Sequence, residues 1–229
     1  MLKLYIANKN YSSWSLRAWV LMRELDIPFD EVLMPFGKSA GAGTFYDFSP
    51  SGKVPCLVDG SRVVWDSLAI TEYLAERVSN VWPAGDDARA WARCAAAEMH
   101  SGFAHMREMC TMNCGLRVRI DSHSLALRPE LQRLDELWNQ GLSRFDGPYL
   151  AGQAFSAADA FFAPVAFRVQ TYALPLSSPA QSYAAHLLEL SSMREWYASA
   201  LAETWRDDEH EQEARRVGVW VQDLRATAG

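Results

Sequence analysis

Two short segments hold the residues with the most informative chemistry in this chain. The first, Ser49–Pro55, ends in the pair Val54-Pro55, and an X-Pro bond can be cis at a cost of only about 0.5–1 kcal/mol. A cis bond there turns the N–H and C=O of Val54 out of the sheet, where an extended ligand can pair with them as an added strand. Lys53, next to Val54, offers a mobile positive charge to a carboxylate.

The second segment, Trp65–Ser67, follows a short hairpin and opens a helical run. The first N–H groups of a helix have no partner within the helix, and they attract a carboxylate. Ser67 adds a hydroxyl at the same point, with Asp66 beside it. Together the two segments predict a site that holds a small zwitterionic peptide by its backbone and its charged ends.

Hydrophobic periodicity predicts the elements that position these segments. Leu2, Leu4 and Ile6 alternate with other residues, which is typical of a half-buried strand. The next patterns are a helix preceded by serines, a strand, a hairpin around Asp59-Gly60 and a second helix, at residues 16–25, 29–34, 56–64 and 67–77. A strand, a helix and a strand in succession predict a right-handed crossover and a parallel pair.

The pattern changes at residues 80–87, where proline and glycine separate two helical stretches. Beyond this point only helices are predicted, with patterns at residues 88–110, 128–145 and 156–172. Ser156 and Asp159 form a capping box at the start of the third of these. The acidic run at residues 207–211 is expected to lie on a solvated helix face or in a connection. We therefore predict an α/β domain at residues 1–80 and an all-α domain at residues 87–229.

Composition excludes several classes of function. The chain has 229 residues, 49% of them hydrophobic, which is enough for two modest cores. A net charge of −6 argues against nucleic acid and against an anionic membrane surface as partners. We find neither a signal peptide nor a run of about 20 apolar residues, so we expect a soluble, cytoplasmic protein. The cysteines are expected to be reduced thiols, with no metal site among them, at Cys56, Cys94, Cys110 and Cys114.

The order of elements and motifs resembles that of the cytosolic glutathione S-transferase family over nearly the whole chain. The shared features are a serine-rich first loop, Val54-Pro55 before a hairpin, Asp66-Ser67 at a helix start, and a capping box in an all-helical second half. Residues 11–17 are similar to the serine motif of the zeta-type and related bacterial members. Trp14 replaces the cysteine of that motif, which argues against chemistry that depends on that cysteine.

The resemblance implies a thioredoxin-like N-terminal domain that binds glutathione as co-substrate. In such a site Val54, beside cis Pro55, pairs with the cysteinyl backbone of glutathione. The γ-glutamyl end is held by Asp66 and Ser67, and the glycyl end lies near Lys53. The family also implies a homodimer and a role in detoxification.

The family places a hydroxyl beside the glutathione sulfur, and Ser12 matches that position. Ser13 is the alternative, because a shift of the loop by one residue exchanges them. A charged hydrogen bond is worth about 1.5–3 kcal/mol and the start of a helix roughly 0.3–1 kcal/mol. Since one pKa unit is about 1.36 kcal/mol, these terms lower a thiol pKa by roughly 1–3 units, so that thiolate dominates near pH 7.

The helical domain is expected to supply the pocket for a second substrate. The candidates for its wall are Trp14, His100, Phe103, Arg107 and Asn113, although Phe103 is equally a core residue and Arg107 equally an ion-pair partner. The predicted reaction is the addition of glutathione to a small electrophile. The alternatives are a glutathione-dependent isomerase or dehalogenase and a non-catalytic interaction protein with the same fold.

Overall fold

The N-terminal α/β unit has the succession of strands and helices that its periodicity predicts. The structure, a computed structural model, describes residues 1–37, 44–120 and 125–225. The elements of this unit are β1 (Leu2–Ile6), α1 (Ser13–Glu24), β2 (Phe29–Leu33), a 3-10 turn (Phe45–Asp47), β3 (Cys56–Asp59), β4 (Arg62–Trp65) and α2 (Ser67–Ala75).

These strands form one mixed sheet in the order β2-β1-β3-β4. The pair β1 and β2 is parallel, as the crossover requires, whereas β3 is antiparallel to both of its neighbours. Gly60, in the turn of the β3–β4 hairpin, has a φ of 60°, a conformation that glycine adopts without steric cost. The unit is a thioredoxin-like α/β domain, and this prediction is confirmed.

The remainder of the chain is mainly helical. Its elements are α3 (Asp86–Ser101), α4 (Ala104–Met109), β5 (Leu116–Ile120), α5 (Leu127–Phe145), α6 (Ala157–Tyr172), α7 (Ser178–Glu189), α8 (Ser191–Ala202), α9 (Asp208–Val217) and β6 (Gly218–Asp223). None of the helices within the described ranges is long and apolar enough to cross a membrane.

Helix α6 is the centre of this second part and packs against α1, α3 and α7. The predicted capping box is present at its start: Asp159 accepts hydrogen bonds from the N–H of Ser156 at 3.0 Å and from the Ser156 hydroxyl at 3.2 Å. The same carboxylate accepts from the N–H of Leu150 at 3.0 Å and from the Tyr183 hydroxyl at 2.8 Å. One buried side chain therefore joins the start of α6 to a loop and to α7.

The single helix predicted over residues 88–110 is wrong, because the chain breaks into α3 and α4 at Gly102. A Cβ atom on Gly102 would lie 2.8 Å from the carbonyl oxygen of Glu98. Phe103 then takes a left-handed conformation with a φ of 56°. The new helix start is capped from outside by the carboxylate of Glu130, which accepts from the N–H of Met106 at 2.7 Å.

The prediction of no strand beyond residue 87 is also wrong. Strands β5 and β6 form an antiparallel pair that joins Leu116 to Asp223 at one end. Leu116 and Val118 are buried, and they alternate with Arg117, so the period-two pattern of a strand is present in the sequence. This pairing brings the last described residues of the chain back to the middle of the helical part.

We expect the Asp159→Ala substitution to lower the free energy of unfolding by about 2–5 kcal/mol, because it leaves several buried donors without an acceptor. Ser156→Ala, which removes a single capping hydroxyl, should cost about 1 kcal/mol. Urea unfolding followed by circular dichroism measures both. Equal effects of the two substitutions would contradict the joining role of Asp159.

Candidate functional site

A cavity of about 780 Å³ lies between the α/β unit and the helical part. Three segments of the α/β unit form one wall, at residues 11–14, 51–55 and 65–67. The facing wall belongs to the helical part and includes Arg107, Thr111, Met112, Arg168, His210 and Glu213. The cavity therefore brings together the serine loop and both ligand-holding segments that the sequence predicts.

Ser12 is at the N-cap position of α1, although its side chain makes no capping hydrogen bond, and Ser13 is the first residue of that helix. The hydroxyl of Ser12 donates to the Oγ atom of Ser15 at 2.7 Å, and Ser15 accepts in turn from the N–H of Ala7 at 3.3 Å. Both predicted catalytic serines lie on the cavity wall. The first turn of α1 contains no acidic residue, so no side chain of that turn offsets the partial positive charge at the helix start.

The segment before β3 also lies on the wall, with Lys53, Val54 and Pro55 in sequence. The Val54-Pro55 bond is cis. Within the described residues, the N–H and C=O of Val54 make no backbone hydrogen bond, and Lys53 is exposed and forms no ion pair. The peptide groups of Val54 are therefore available to a ligand strand.

Asp66 and Ser67 meet the cavity at the start of α2. Asp66 caps this helix by accepting from the N–H of Leu68 at 2.8 Å. The hydroxyl of Ser67 is buried, lines the cavity and has no hydrogen-bond partner among the described residues. Because an unpaired buried hydroxyl carries a desolvation cost, this group is suited to a ligand that supplies its partner.

The structure separates the residues that were predicted to contact a second substrate. Trp14 and Arg107 lie on the cavity wall, whereas His100, Phe103 and Asn113 do not. The ring of His100 packs edge to face on Trp14, with 5.3 Å between ring centroids, and its Nε2 atom is 3.6 Å from Asp66. Phe103 is part of the core. The Asn113 side chain accepts a hydrogen bond from Asn10 at 2.9 Å, which joins the two parts of the chain.

The C-terminal segment contributes residues to the site that the sequence does not reveal. His210 of α9 lines the cavity and stacks on Tyr11, with 5.0 Å between ring centroids. The Nδ1 atom of His210 is 2.6 Å from a carboxylate oxygen of Asp207, which caps α9. The acidic run at residues 207–211 was predicted to be a solvated face or connection; this is wrong for Glu211, which is buried.

Glu211 is buried because it belongs to a network centred on Tyr11. The Tyr11 hydroxyl donates to Glu211 and accepts from Nη1 of Arg225 at 2.8 Å. Burial, followed by the hydrogen bond to Glu211, raises the pKa of Tyr11 to about 12. This hydroxyl is therefore protonated at neutral pH, and its proton is used in the hydrogen bond to Glu211. The serines remain as the hydroxyl donors at the start of α1.

Arg17 places a buried positive charge behind the same helix start. Its guanidinium stacks on Trp14, with 4.1 Å to the ring centroid, and lies 5.0 Å from the ring centroid of Phe161. Burial, together with the nearby charges of Arg168 and Arg107, lowers the pKa of Arg17 to about 9. The group is cationic at neutral pH and favours a negative charge in the adjoining cavity.

We expect Tyr11→Phe to loosen the C-terminal segment, because Glu211 and Arg225 each lose a charged hydrogen bond worth about 1.5–3 kcal/mol. Amide hydrogen exchange in α9 and β6 should become about 10- to 100-fold faster. Tyr149→Phe is the matched control, since the Tyr149 hydroxyl makes no hydrogen bond within the described ranges. Unchanged exchange in α9 after Tyr11→Phe would contradict the network.

Part of the sequence resembles known proteins. The sequence model of the glutathione S-transferase N-terminal domain matches residues 11–77. Dichloromethane dehalogenase from Methylorubrum extorquens is 40% identical over 58 residues, which cover 24% of this chain and 20% of the dehalogenase. This match therefore spans about a fifth of that relative.

Solved structures resemble the chain over most of its length. A Burkholderia glutathione transferase homologue with bound glutathione superposes with a TM-score of 0.66 at 20% identity, over 88% of this chain and 99% of the other. Glutathione S-transferase unclassified 2 from Bombyx mori gives 0.70 at 21% identity, over 95% and 99%. These likenesses establish the fold. The chain therefore has the glutathione S-transferase fold, with an N-terminal segment that is similar in sequence to that family.

Proposed function

We propose that this protein is a glutathione transferase that binds glutathione in the cavity, holds the thiol as thiolate at the start of α1, and adds it to a small electrophile. The observation that carries this proposal is the coincidence of three groups in one cavity. These are the free peptide groups of Val54, the buried unpaired hydroxyl of Ser67, and the serines at the N-terminus of α1.

Each part of glutathione has a matching group in the cavity. The cysteinyl backbone pairs with Val54, and the γ-glutamyl carboxylate lies at the start of α2, where Ser67 donates to it. Asp66 holds the γ-glutamyl ammonium, and Lys53 lies near the glycyl carboxylate. In this pose residues 1–80 bind glutathione, and residues 87–229 supply most of the wall for the second substrate.

The chemistry follows from the protonation of the thiol. A free cysteine thiol has a pKa of about 8.5, so only a few per cent is thiolate at neutral pH. The Ser12 hydroxyl turns from Ser15 to donate to the sulfur, and the start of α1 and the Arg17 cation stabilise the same negative charge. The thiol proton passes to solvent, and the thiolate attacks the electrophile.

Dehalogenation is a second candidate reaction, and the partial match to dichloromethane dehalogenase favours it. The same thiolate would form a bond to carbon while chloride leaves with the electron pair of the broken bond. Resemblance to the family further supports a homodimer, a cytoplasmic location and a role in detoxification. Sedimentation analysis tests the first of these properties, and a monomer at micromolar concentration would contradict it.

The Ser12→Ala substitution should reduce conjugation of glutathione to 1-chloro-2,4-dinitrobenzene by about 10- to 100-fold, because it removes a charged hydrogen bond to the thiolate. Retention on glutathione-agarose should persist, since the backbone and carboxylate contacts remain. Ser13→Ala is the matched variant and should keep most of the activity. Loss of activity in Ser13→Ala alone would reassign the donor to Ser13.

The Ser67→Ala substitution should weaken glutathione binding by about 10- to 100-fold, because it removes a hydrogen bond to a carboxylate. Isothermal titration calorimetry measures this affinity. Ser143→Ala, on the exposed face of α5, is the control and should bind as the wild type does. If the wild-type protein binds no glutathione, the proposed enzymatic function is wrong and a non-catalytic interaction protein with the same fold replaces it.

A further inference from the structure

Three arginines from different helices converge behind and within the cavity: Arg17 of α1, Arg107 of α4 and Arg168 of α6. Arg17 and Arg168 are each only 2% exposed, and Arg107 is partly buried. Arginine is rarely buried to this extent unless a carboxylate or another anion pairs with it. We refer to these three residues as the arginine cluster.

Within the described part of the chain no carboxylate forms an ion pair with the arginine cluster, although Asp66 and Glu130 act on Arg17 and Arg107 from farther away. Arg168 donates from Nε to the carbonyl of Cys110 at 2.7 Å, while its Nη1 atom is buried without a partner. Arg107 donates from Nη1 to the carbonyls of Met99 and His100 at 3.0 and 3.2 Å. These contacts are to neutral carbonyl groups, so they orient the guanidiniums without pairing their charge.

The charges of the cluster act on one another. Burial and then the neighbouring guanidiniums lower the pKa of Arg17 to about 9, and burial lowers that of Arg168 to about 10. Two members contact the ring of Trp14, with the Arg17 guanidinium 4.1 Å and that of Arg107 5.4 Å from its centroid. Because like charges repel, an anion placed against Arg107 and Arg168 would relieve an existing electrostatic cost.

Glutathione does not account for the cluster in the proposed pose. Its two carboxylates are assigned to the start of α2 and to Lys53, both on the wall formed by the α/β unit. Arg107 and Arg168 line the facing wall, which belongs to the helical part. The charge that they offer is therefore available to the second substrate.

Three acidic residues line the cavity, and Asp66 is on the wall formed by the α/β unit, opposite Arg107 and Arg168. Glu108 is exposed and Glu213 is partly exposed, and neither forms an ion pair with a member of the cluster in the described residues. Next to the two arginines the wall is completed by the buried side chain of Met112 and by Trp14. This combination offers a cationic end and an apolar flank.

We infer that the second substrate is a small electrophile that carries a carboxylate, and that Arg107 and Arg168 bind this carboxylate. The inference rests on the proposed function and names its substrate class. The planar guanidinium matches the geometry of a carboxylate with two parallel hydrogen bonds. With the carboxylate held there, the apolar body lies against Met112 and Trp14, and the reactive carbon faces the thiolate.

A matched pair of aryl chlorides tests this inference: 4-chloro-3-nitrobenzoate and the neutral 4-chloro-3-nitrobenzamide. In both, the thiolate sulfur forms a bond to C4, chloride leaves with the electron pair, and the thiol proton passes to solvent. After division by the uncatalysed rate with free glutathione, kcat/KM for the benzoate should exceed that for the benzamide by about 10- to 100-fold, as expected for a charged hydrogen-bonded contact.

Variants assign the preference to the cluster. Arg107→Gln should reduce the benzoate-to-benzamide ratio about tenfold, and Arg168→Lys, which retains the charge of a fully buried site, should reduce it through the loss of paired hydrogen bonds. Arg133→Gln, an exposed arginine of α5 that pairs with Glu98, is the control and should leave the ratio unchanged. A ratio near one in wild type, or one that these cluster variants do not alter, overturns the inference.

A binding measurement separates failure of this inference from failure of the proposed function. Calorimetry with unreactive 4-nitrobenzoate and 4-nitrobenzamide requires neither turnover nor glutathione. Tighter binding of the benzoate, reduced in Arg107→Gln, supports the cluster as an anion site even if no conjugation occurs. Conjugation of both aryl chlorides without preferential benzoate binding overturns the substrate class and leaves the transferase function standing.

Discussion

The packing of α1 between the sheet and α6 is the constraint on which the site depends. Every residue of this helix from Ser15 to Met22 is buried, so the helix has no freedom to shift without disturbing both parts of the chain. Its first turn therefore holds Ser12 and Ser13 at a fixed place on the cavity wall. Because the Arg17 cation is enclosed by the same packing, the positive potential at this helix start is built into the core.

The facing wall of the cavity depends on contacts between distant parts of the sequence. The β5–β6 pair returns the C-terminal segment to the helical part, and Arg225 then reaches the carbonyls of Glu203 and Trp205 at 2.9 and 2.5 Å as well as the Tyr11 hydroxyl. These bonds hold α9 over the serine loop and bring His210 to the cavity. The α/β unit offers groups suited to a peptide, whereas the helical part offers cations.

Much of the fold and half of the site follow from local patterns. The hairpin glycine, the capping box of α6 and the Val54-Pro55 pair each depend on only a few consecutive residues. Sequence alone therefore predicts them. The facing wall has no such local origin, because Tyr11 and Glu211 are separated by 200 residues. The alternation of Leu116, Val118 and Ile120 was a readable strand pattern that the prediction missed. The residues next to Arg168 in the sequence also give no sign that its side chain is buried at the cavity wall.

The proposed activity depends above all on stabilisation of the thiolate of bound glutathione by the start of α1. Ultraviolet difference titration of thiolate absorbance in the complex measures this directly. We expect a thiol pKa roughly 1–3 units below the free value of about 8.5, with most of that shift lost in Ser12→Ala. A bound thiol that titrates at the same pH as free glutathione would contradict it.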